Sequence, residues 1–287
     1  MKGSSLLLCL IWGFNFVIMK LGNGAFEPVQ FAAFRFLTGT LLLFGILIWK
    51  RVPNPDRHTM KWYIICGILQ TTYFNIAIQI SLNYINAGLT SVLTYSMPLF
   101  LSMMAHFLIP GERLNTRRTI GIATGMMGLL FAMDIHLGGN LWAMLLGVSS
   151  AIAWALSNLI IKLKLQHCDK TQFTTWQMAF GALGLLLYSL LFERWEPHFS
   201  AASIFYILFS GIVASALAFL LWTHILTRME ASKASVTLLL VPIIGVVSGW
   251  IFLHEELKAA TLLGIFFSTG GHLDCEPCRD SEAAVNE

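Results

Sequence analysis

Charge is scarce in this 287-residue chain, where Asp, Glu, Lys and Arg together make up 11% of the residues. A soluble domain of this length carries about 25%. No Asp or Glu falls in the middle of a long apolar run, and Arg35 is the single ionisable residue well inside one. The formal net charge of +3 is modest and its basic residues are scattered between runs, which excludes an extended nucleic-acid surface. Cysteine is sparse as well. Cys9 and Cys66 lie in apolar runs, where a thiol packs as a small hydrophobe. Cys275 and Cys278 form a lone C-x-x-C, a weak metal or disulfide signal without a second pair. H-E-x-x-H, G-x-S-x-G and paired carboxylates within a run are all missing, and His58, His106, His136, His224 and His254 show no ligand spacing within a helix. These absences count against an enzyme and leave no metal or cofactor to expect.

What remains is apolar length. Hydrophobic residues make up 56% of the chain and the mean hydropathy is +0.72. A helix crossing the hydrocarbon core needs about 20 apolar residues. Hydropathy, with turns and charges as punctuation, predicts ten spans at 4–21, 29–49, 62–81, 86–109, 118–134, 141–161, 172–192, 202–222, 234–253 and 260–273. The first imitates a signal peptide but stays bulky up to Lys20 with no small-x-small cleavage site, so it reads as a retained span. If the N-terminus is cytoplasmic and sides alternate, fourteen basic residues fall inside and only Lys20, Arg194 and Lys258 fall outside, with Arg35 left in a span. That bias matches the positive-inside rule.

The chain also repeats itself. Trp12-Gly-Phe-Asn-Phe-Val-Ile-Met-Lys20 aligns with Trp154-Ala-Leu-Ser-Asn-Leu-Ile-Ile-Lys162 at a shift of 142, and Phe31, Phe34, Arg35 and Gly39 fall on Phe173, Trp176, Gln177 and Gly181. At 144, Gly67, Ala87, Ser91 and Pro98 fall on Gly211, Ala231, Ser235 and Pro242; at 143, Glu112, Leu114 and Gly121 fall on Glu255, Leu257 and Gly264. Five spans per copy is an odd number, so the second copy enters the membrane inverted. The expected architecture is an all-α membrane protein of ten transmembrane helices: a five-helix repeat over 1–136, its inverted copy over 137–273, and a polar tail over 274–287 expected to be disordered. Inverted repeats supply two packings of similar energy, the physical basis of alternating access around a midplane site.

Trp12-Gly13-Phe14-Asn15-Phe16, Phe34-Arg35-Phe36, Pro98 and Gly111-Glu112-Arg113-Leu114, echoed by Pro242 and Glu255-Glu256-Leu257, make the chain similar to the EamA family of the drug/metabolite transporter superfamily over residues 4 to about 267. The resemblance implies a carrier in the bacterial inner membrane that exports or exchanges amino acids and related metabolites, often coupled to protons, with both termini cytoplasmic. The C-terminus departs from the family. Gly270-Gly271-His272-Leu273-Asp274 cuts the tenth apolar run to residues 260–273, so a short or altered last helix is expected.

Candidate site residues follow from polarity inside the runs. Arg35 either binds a substrate carboxylate through a bidentate pair, or ties helix ends together through backbone carbonyls, or snorkels outward; Gln177 holds the matching position. Pro98 and Pro242 are expected mid-span, freeing the carbonyls of Thr94 and Leu238 as ligands or making hinges, unless they are static kinks. Asn75 and Gln79 share a helical face. With Asn15, Tyr73, Tyr95 and Asn158 they either line a polar cavity or join helices. Trp12, Trp154 and Trp176 can wall or gate it, whereas Trp49, Trp62, Trp142 and Trp195 read as interfacial anchors. Gly121-x-x-x-Gly125 allows close helix approach within a protomer or in a homodimer. Proton coupling would fall to His106, Glu27 or Asp134, and the lack of a mid-span carboxylate disfavours exchange of cationic drugs. The expected partners are therefore a small-molecule metabolite and the lipid bilayer. The competing classes are a membrane-embedded enzyme and a receptor or assembly factor without flux.

Overall fold

Helices begin where the sequence supplies an oxygen for their first amides. Asp56 accepts from the His58 and Thr59 N–H groups, Asn86 from Leu89, Asn140 from Ala143, and Asp169 from Gln172. Ser200 and Ser203 cap one another reciprocally. The computed structural model describes residues 2–109, 140–228 and 240–256, together with positions 116, 120, 123, 124, 127 and 238. Among them the elements are α1 (Lys2–Gly22), α2 (Pro28–Trp49), α3 (Arg57–Cys66), a π-helical segment π1 (Gly67–Tyr73), α4 (Phe74–Tyr84), α5 (Ala87–Thr94), α6 (Met97–Leu108), α7 (Leu141–Lys164), α8 (Lys170–Phe192), α9 (Ala201–Leu208), π2 (Phe209–Leu217), α10 (Ala218–Arg228) and α11 (Leu240–Leu253). No strand occurs among the described residues. Among the described residues seven helical stretches, one of them the interrupted Ala87–Leu108, are long and apolar enough to cross a membrane, and α11 is a shorter apolar helix. Leu41, Ile48, Phe107 and Leu191 stand exposed on the outside, as a surface facing lipid tails requires.

The predicted third span is longer than 62–81. It runs from Arg57 through π1 to Tyr84, because Asp56 starts it well before the apolar residues do. The fourth, expected as one helix over 86–109, breaks at Tyr95–Ser96. Pro98 has no N–H for the Thr94 carbonyl and its ring crowds that oxygen, so the helix restarts instead of kinking. Pro98 therefore sits in the first turn of α6, not mid-helix. Pro242 likewise sits in the first turn of the described part of α11, and the Leu238 carbonyl is not free: it accepts from the Val241 N–H at 3.0 Å. The tenth predicted span, all of the fifth but positions 120, 123, 124 and 127, the Gly121/Gly125 pair, Asp134, the C-x-x-C and the tail lie outside the described residues.

The helices pack in matched pairs. α2 and α8 run along one another; α2 also crosses π2, and α8 crosses π1. α1 packs on α11, and α7 packs on α5 and α6. The crossings allow no side chain at the contact points. A Cβ on Gly211 would lie 2.5 Å from the Arg35 carbonyl oxygen, and one on Gly39 would lie 2.5 Å from that of Gly211. A Cβ on Gly67 would lie 2.5 Å from the Gln177 carbonyl, and one on Gly181 would lie 2.9 Å from that of Gly67. Under the shifts read from the sequence, 35 becomes 177, 39 becomes 181 and 67 becomes 211, so each contact is the other with its partners exchanged.

Two carboxylates from the second half close helix ends of the first. Glu193, past the end of α8, accepts from the Val29 and Gln30 N–H groups at 2.7 Å each, filling the start of α2. Glu255 accepts from Ala87 and Gly88 at the start of α5. His254, with φ 53°, turns the chain back so that the Glu255 carboxylate can reach. An anion there satisfies orphan amides and meets the positive end of the helix dipole. Lys20 does the converse, donating to the Leu82 and Ile85 carbonyls at the end of α4. Removing such a cap costs about 0.5–2 kcal/mol. E193A is therefore expected to lower the unfolding midpoint in mild detergent, with E193Q losing less because its amide oxygen still accepts one bond. Equal midpoints for E193A and the parent would show that water replaces the cap.

Candidate functional site

A cavity lies between α1, α2, α4, the α5–α6 break, α7 and the π2–α10 stretch. Four polar side chains reach it: Asn15, Arg35, Asn75 and Tyr95. Its walls are aromatic, with Trp12, Phe16, Phe36, Phe74, Trp154 and Phe219 around it; Met19, Ile78 and Ala214 complete the lining.

Arg35 occupies the third turn of α2, about 10 Å along the helix from Pro28. It is 4% exposed. Its guanidinium donates to Asn75 Oδ1 and lies over the Phe36 ring, 4.6 Å from the centroid, while its Nε has no partner. No carboxylate pairs with it among the described residues. Neighbours hold the other polar groups in place. Asn75 Nδ2 donates to the Thr71 carbonyl at 2.7 Å, inside π1, and Asn15 Oδ1 accepts from Ser210 Oγ, inside π2, at 2.7 Å. Trp12 Nε1 donates to the Ala214 carbonyl at 3.0 Å. The widened π turns thus carry the groups that fix three of the cavity side chains, a placement frequent at functional sites.

The aromatic walls meet edge to face. Trp12 and Trp154, matching positions in the sequence repeat, lie 5.4 Å apart between centroids at 81°. Tyr95 meets Trp154 at 5.4 Å and Phe219 meets Trp12 at 5.8 Å. Tyr95 reaches this cluster because the Pro98 break releases it from the end of α5.

Six of the residues singled out in the sequence therefore surround one space: Trp12, Asn15, Arg35, Asn75, Tyr95 and Trp154. Others do not reach it. Gln79, fully buried one turn beyond Asn75, has no partner for either amide atom and lies outside the lining. Asn158 accepts from Trp222 Nε1 at 3.1 Å and donates to Met97 Sδ, which holds it behind the wall. Gln177 turns to π1, where Thr71 Oγ1 donates to it at 3.0 Å. Tyr73 points outward and donates to Ser149. Trp176 packs between Phe44 and Phe180. Pro98 and Pro242 shape helix starts beside the cavity but do not line it. Glu27 and His106 also lie off it. Sequence reasoning missed Phe219, although it stands at the repeat position of Asn75, as Trp222 does for Ile78. The 144-residue shift was the signal that could have found both. No group of metal-ligating side chains occurs among the described residues.

Comparison with known proteins gives a consistent picture. The model of the EamA-like transporter family matches residues 4–133 and again 141–273. An uncharacterized transporter of Bacillus subtilis, YoaV, is 31% identical over 261 residues, covering 89% of each chain. A probable amino-acid metabolite efflux pump of Salmonella typhimurium is 27% identical over 281 residues, covering 93% of this chain and 91% of its own. A solved crystal structure superposes with a TM-score of 0.72 at 17% identity over 95% of this chain and 94% of that one.

Proposed function

Because the chain belongs to the EamA-like transporter family, a family of multi-pass membrane transporters, we propose that it exports amino acids or related small metabolites across a bacterial inner membrane by alternating access. One observation carries the reading. Trp12 and Trp154, equivalent residues of the two sequence copies, meet edge to face in the cavity wall, which supports reading the cavity as the seam between the copies. The exchanged glycine contacts of α2 with π2 and of α8 with π1 support a two-fold relation along that seam. We take the two copies to be inverted five-helix repeats over 1–136 and 137–273, with the N-terminus cytoplasmic and Lys and Arg concentrated inside. Rocking one copy on the other would then open the same space to either side.

In this reading Arg35 holds the substrate carboxylate. Asn15, Asn75 and Tyr95 orient it and the aromatic walls enclose the rest. Coupling to the proton gradient would fall to Glu27, His106 or Asp134, of which Glu27 and His106 lie off the cavity.

Two measurements test the proposal. Proteoliposomes loaded with an unlabelled amino acid or a related carboxylate should accumulate the labelled compound by counterflow; turnover without flux of either class would mark an enzyme, and neither would mark a receptor or assembly factor. Accessibility labelling in intact cells should report Asn140 from outside and a tag before Lys2 only after permeabilisation. Both reporting from the same face would remove the inverted repeat.

A further inference from the structure

We infer that the cavity selects a monocarboxylate anion with a ring-sized apolar body over the zwitterion and the cation of the same skeleton; the inference rests on the carrier reading and narrows its substrate. The first ground is charge. Arg35 is buried beside Asn75 and the Phe36 ring, with no carboxylate partner among the described residues. No Asp or Glu stands mid-run anywhere in the sequence, including the runs outside the described residues. An anion bearing one charge neutralises this site. A zwitterion leaves its net charge where it was, and a cation raises it.

The second ground is the balance of donors and acceptors. Donors are in surplus: Arg35 Nε and Trp154 Nε1 are buried without a partner, and Tyr95, whose hydroxyl both donates and accepts, is the one further polar side chain in the lining besides the two asparagines. Acceptors are already engaged. Asn75 Oδ1 takes a proton from Arg35, Asn15 Oδ1 takes one from Ser210, and the Ala214 carbonyl takes one from Trp12. A carboxylate brings about four lone-pair sites and no donor, whereas an ammonium brings three donors and no acceptor. The ammonium would leave water for a site with no carboxylate and few open lone pairs. Its remaining attraction is to the aromatic faces, and the Arg35 charge opposes it there. The third ground is shape. Edge-to-face walls of Trp12, Trp154 and Phe219 offer a further ring the tilted contact that such pairs prefer.

The test uses three probes of related skeleton: 3-phenylpropanoate, phenylalanine and phenethylamine. Binding is titrated by tryptophan fluorescence on the full chain in nanodiscs, and exchange is measured in proteoliposomes. The acid is expected to bind at least about tenfold tighter than phenylalanine, with no saturable binding of the amine. R35Q should erase the preference, while R35K, which keeps the charge, should retain part of it. Equal or tighter binding of phenylalanine, saturable binding of the amine, or no binding of any probe would each overturn the inference. The two readings fail separately. If phenylalanine exchanges as fast as the acid, the selectivity falls and the carrier stands; if the acid binds with the expected preference and no solute crosses, the carrier falls and the site remains an anion site.

Discussion

Replacing Arg35 with methionine is expected to slow exchange by about a hundredfold or more while leaving the melting temperature at or above that of the parent chain. The two halves of that expectation come from one fact. A guanidinium 4% exposed, with a neutral partner in Asn75 and none for its Nε, has lost its water without gaining a counter-charge. Exchanging buried ionic groups for apolar residues of similar volume is commonly neutral or stabilising by about 1–4 kcal/mol. Methionine follows the same path through the core and adapts to its gaps. Asn75 Oδ1, which loses its donor, faces the cavity, where water can replace it. The protein would thus be relieved of a cost it carries for its substrate. Once a carboxylate is bound, the same guanidinium becomes one half of a buried pair, and deleting one half of such a pair costs about 3–5 kcal/mol. That corresponds to about two to three and a half orders of magnitude in affinity. If Arg35 were instead a structural tie between helices, flux and melting temperature would fall together. Lysine at 35 separates charge from geometry: it keeps the charge but cannot form the planar two-pronged pair, so exchange between the two extremes is expected.

How far the sequence foretold this site depends on what each residue's partner is. Arg35 was legible because a lone charge inside an apolar run has few places to go. Trp12 and Trp154 were legible because the repeat equates them. The face of the third span was legible too, since Asn75 and Gln79 stand one turn apart; the depth at which neighbouring helices close over that face was not. Asn75 falls within the cavity and Gln79 falls beyond it. Asn158 and Gln177 show a different limit. Their polarity was plain, but Trp222 and Thr71, which claim them, lie 64 and 106 residues away along the chain. Nothing local marks such a pairing. The π segments were invisible for a third reason. Hydropathy within an apolar run does not record whether the backbone bonds span four residues or five, yet that extra residue per turn decides which side chains Asn15 and Asn75 find beside them. The break at Tyr95 was half legible: Pro98 announced a disturbance, and its outcome as a restarted helix depended on packing.

The exchanged glycines allow the repeat to be tested in stability as well as in topology. G67A and G211A each place a methyl 2.5 Å from a backbone carbonyl, of Gln177 and of Arg35 respectively, and a carbonyl cannot swing aside as a flexible side chain can. Each variant must push two helices apart, at a cost of about 1–3 kcal/mol. Because the two contacts are one contact with the copies exchanged, the losses should be alike. G45A supplies the control: a methyl there meets nothing within 4 Å, and alanine in a helix interior is favoured over glycine by about 0.5–1 kcal/mol, so its midpoint should rise slightly. If α2 rocks on π2 and α8 on π1 during transport, a methyl at either crossing obstructs the motion itself. Exchange by G67A and G211A, measured at equal amounts of folded protein, should then fall about tenfold or more, beyond what lost stability accounts for. A loss confined to one of the two would mean that the copies share a sequence pattern but not a mechanical role. A loss in stability with normal exchange would place the moving seam elsewhere in the molecule.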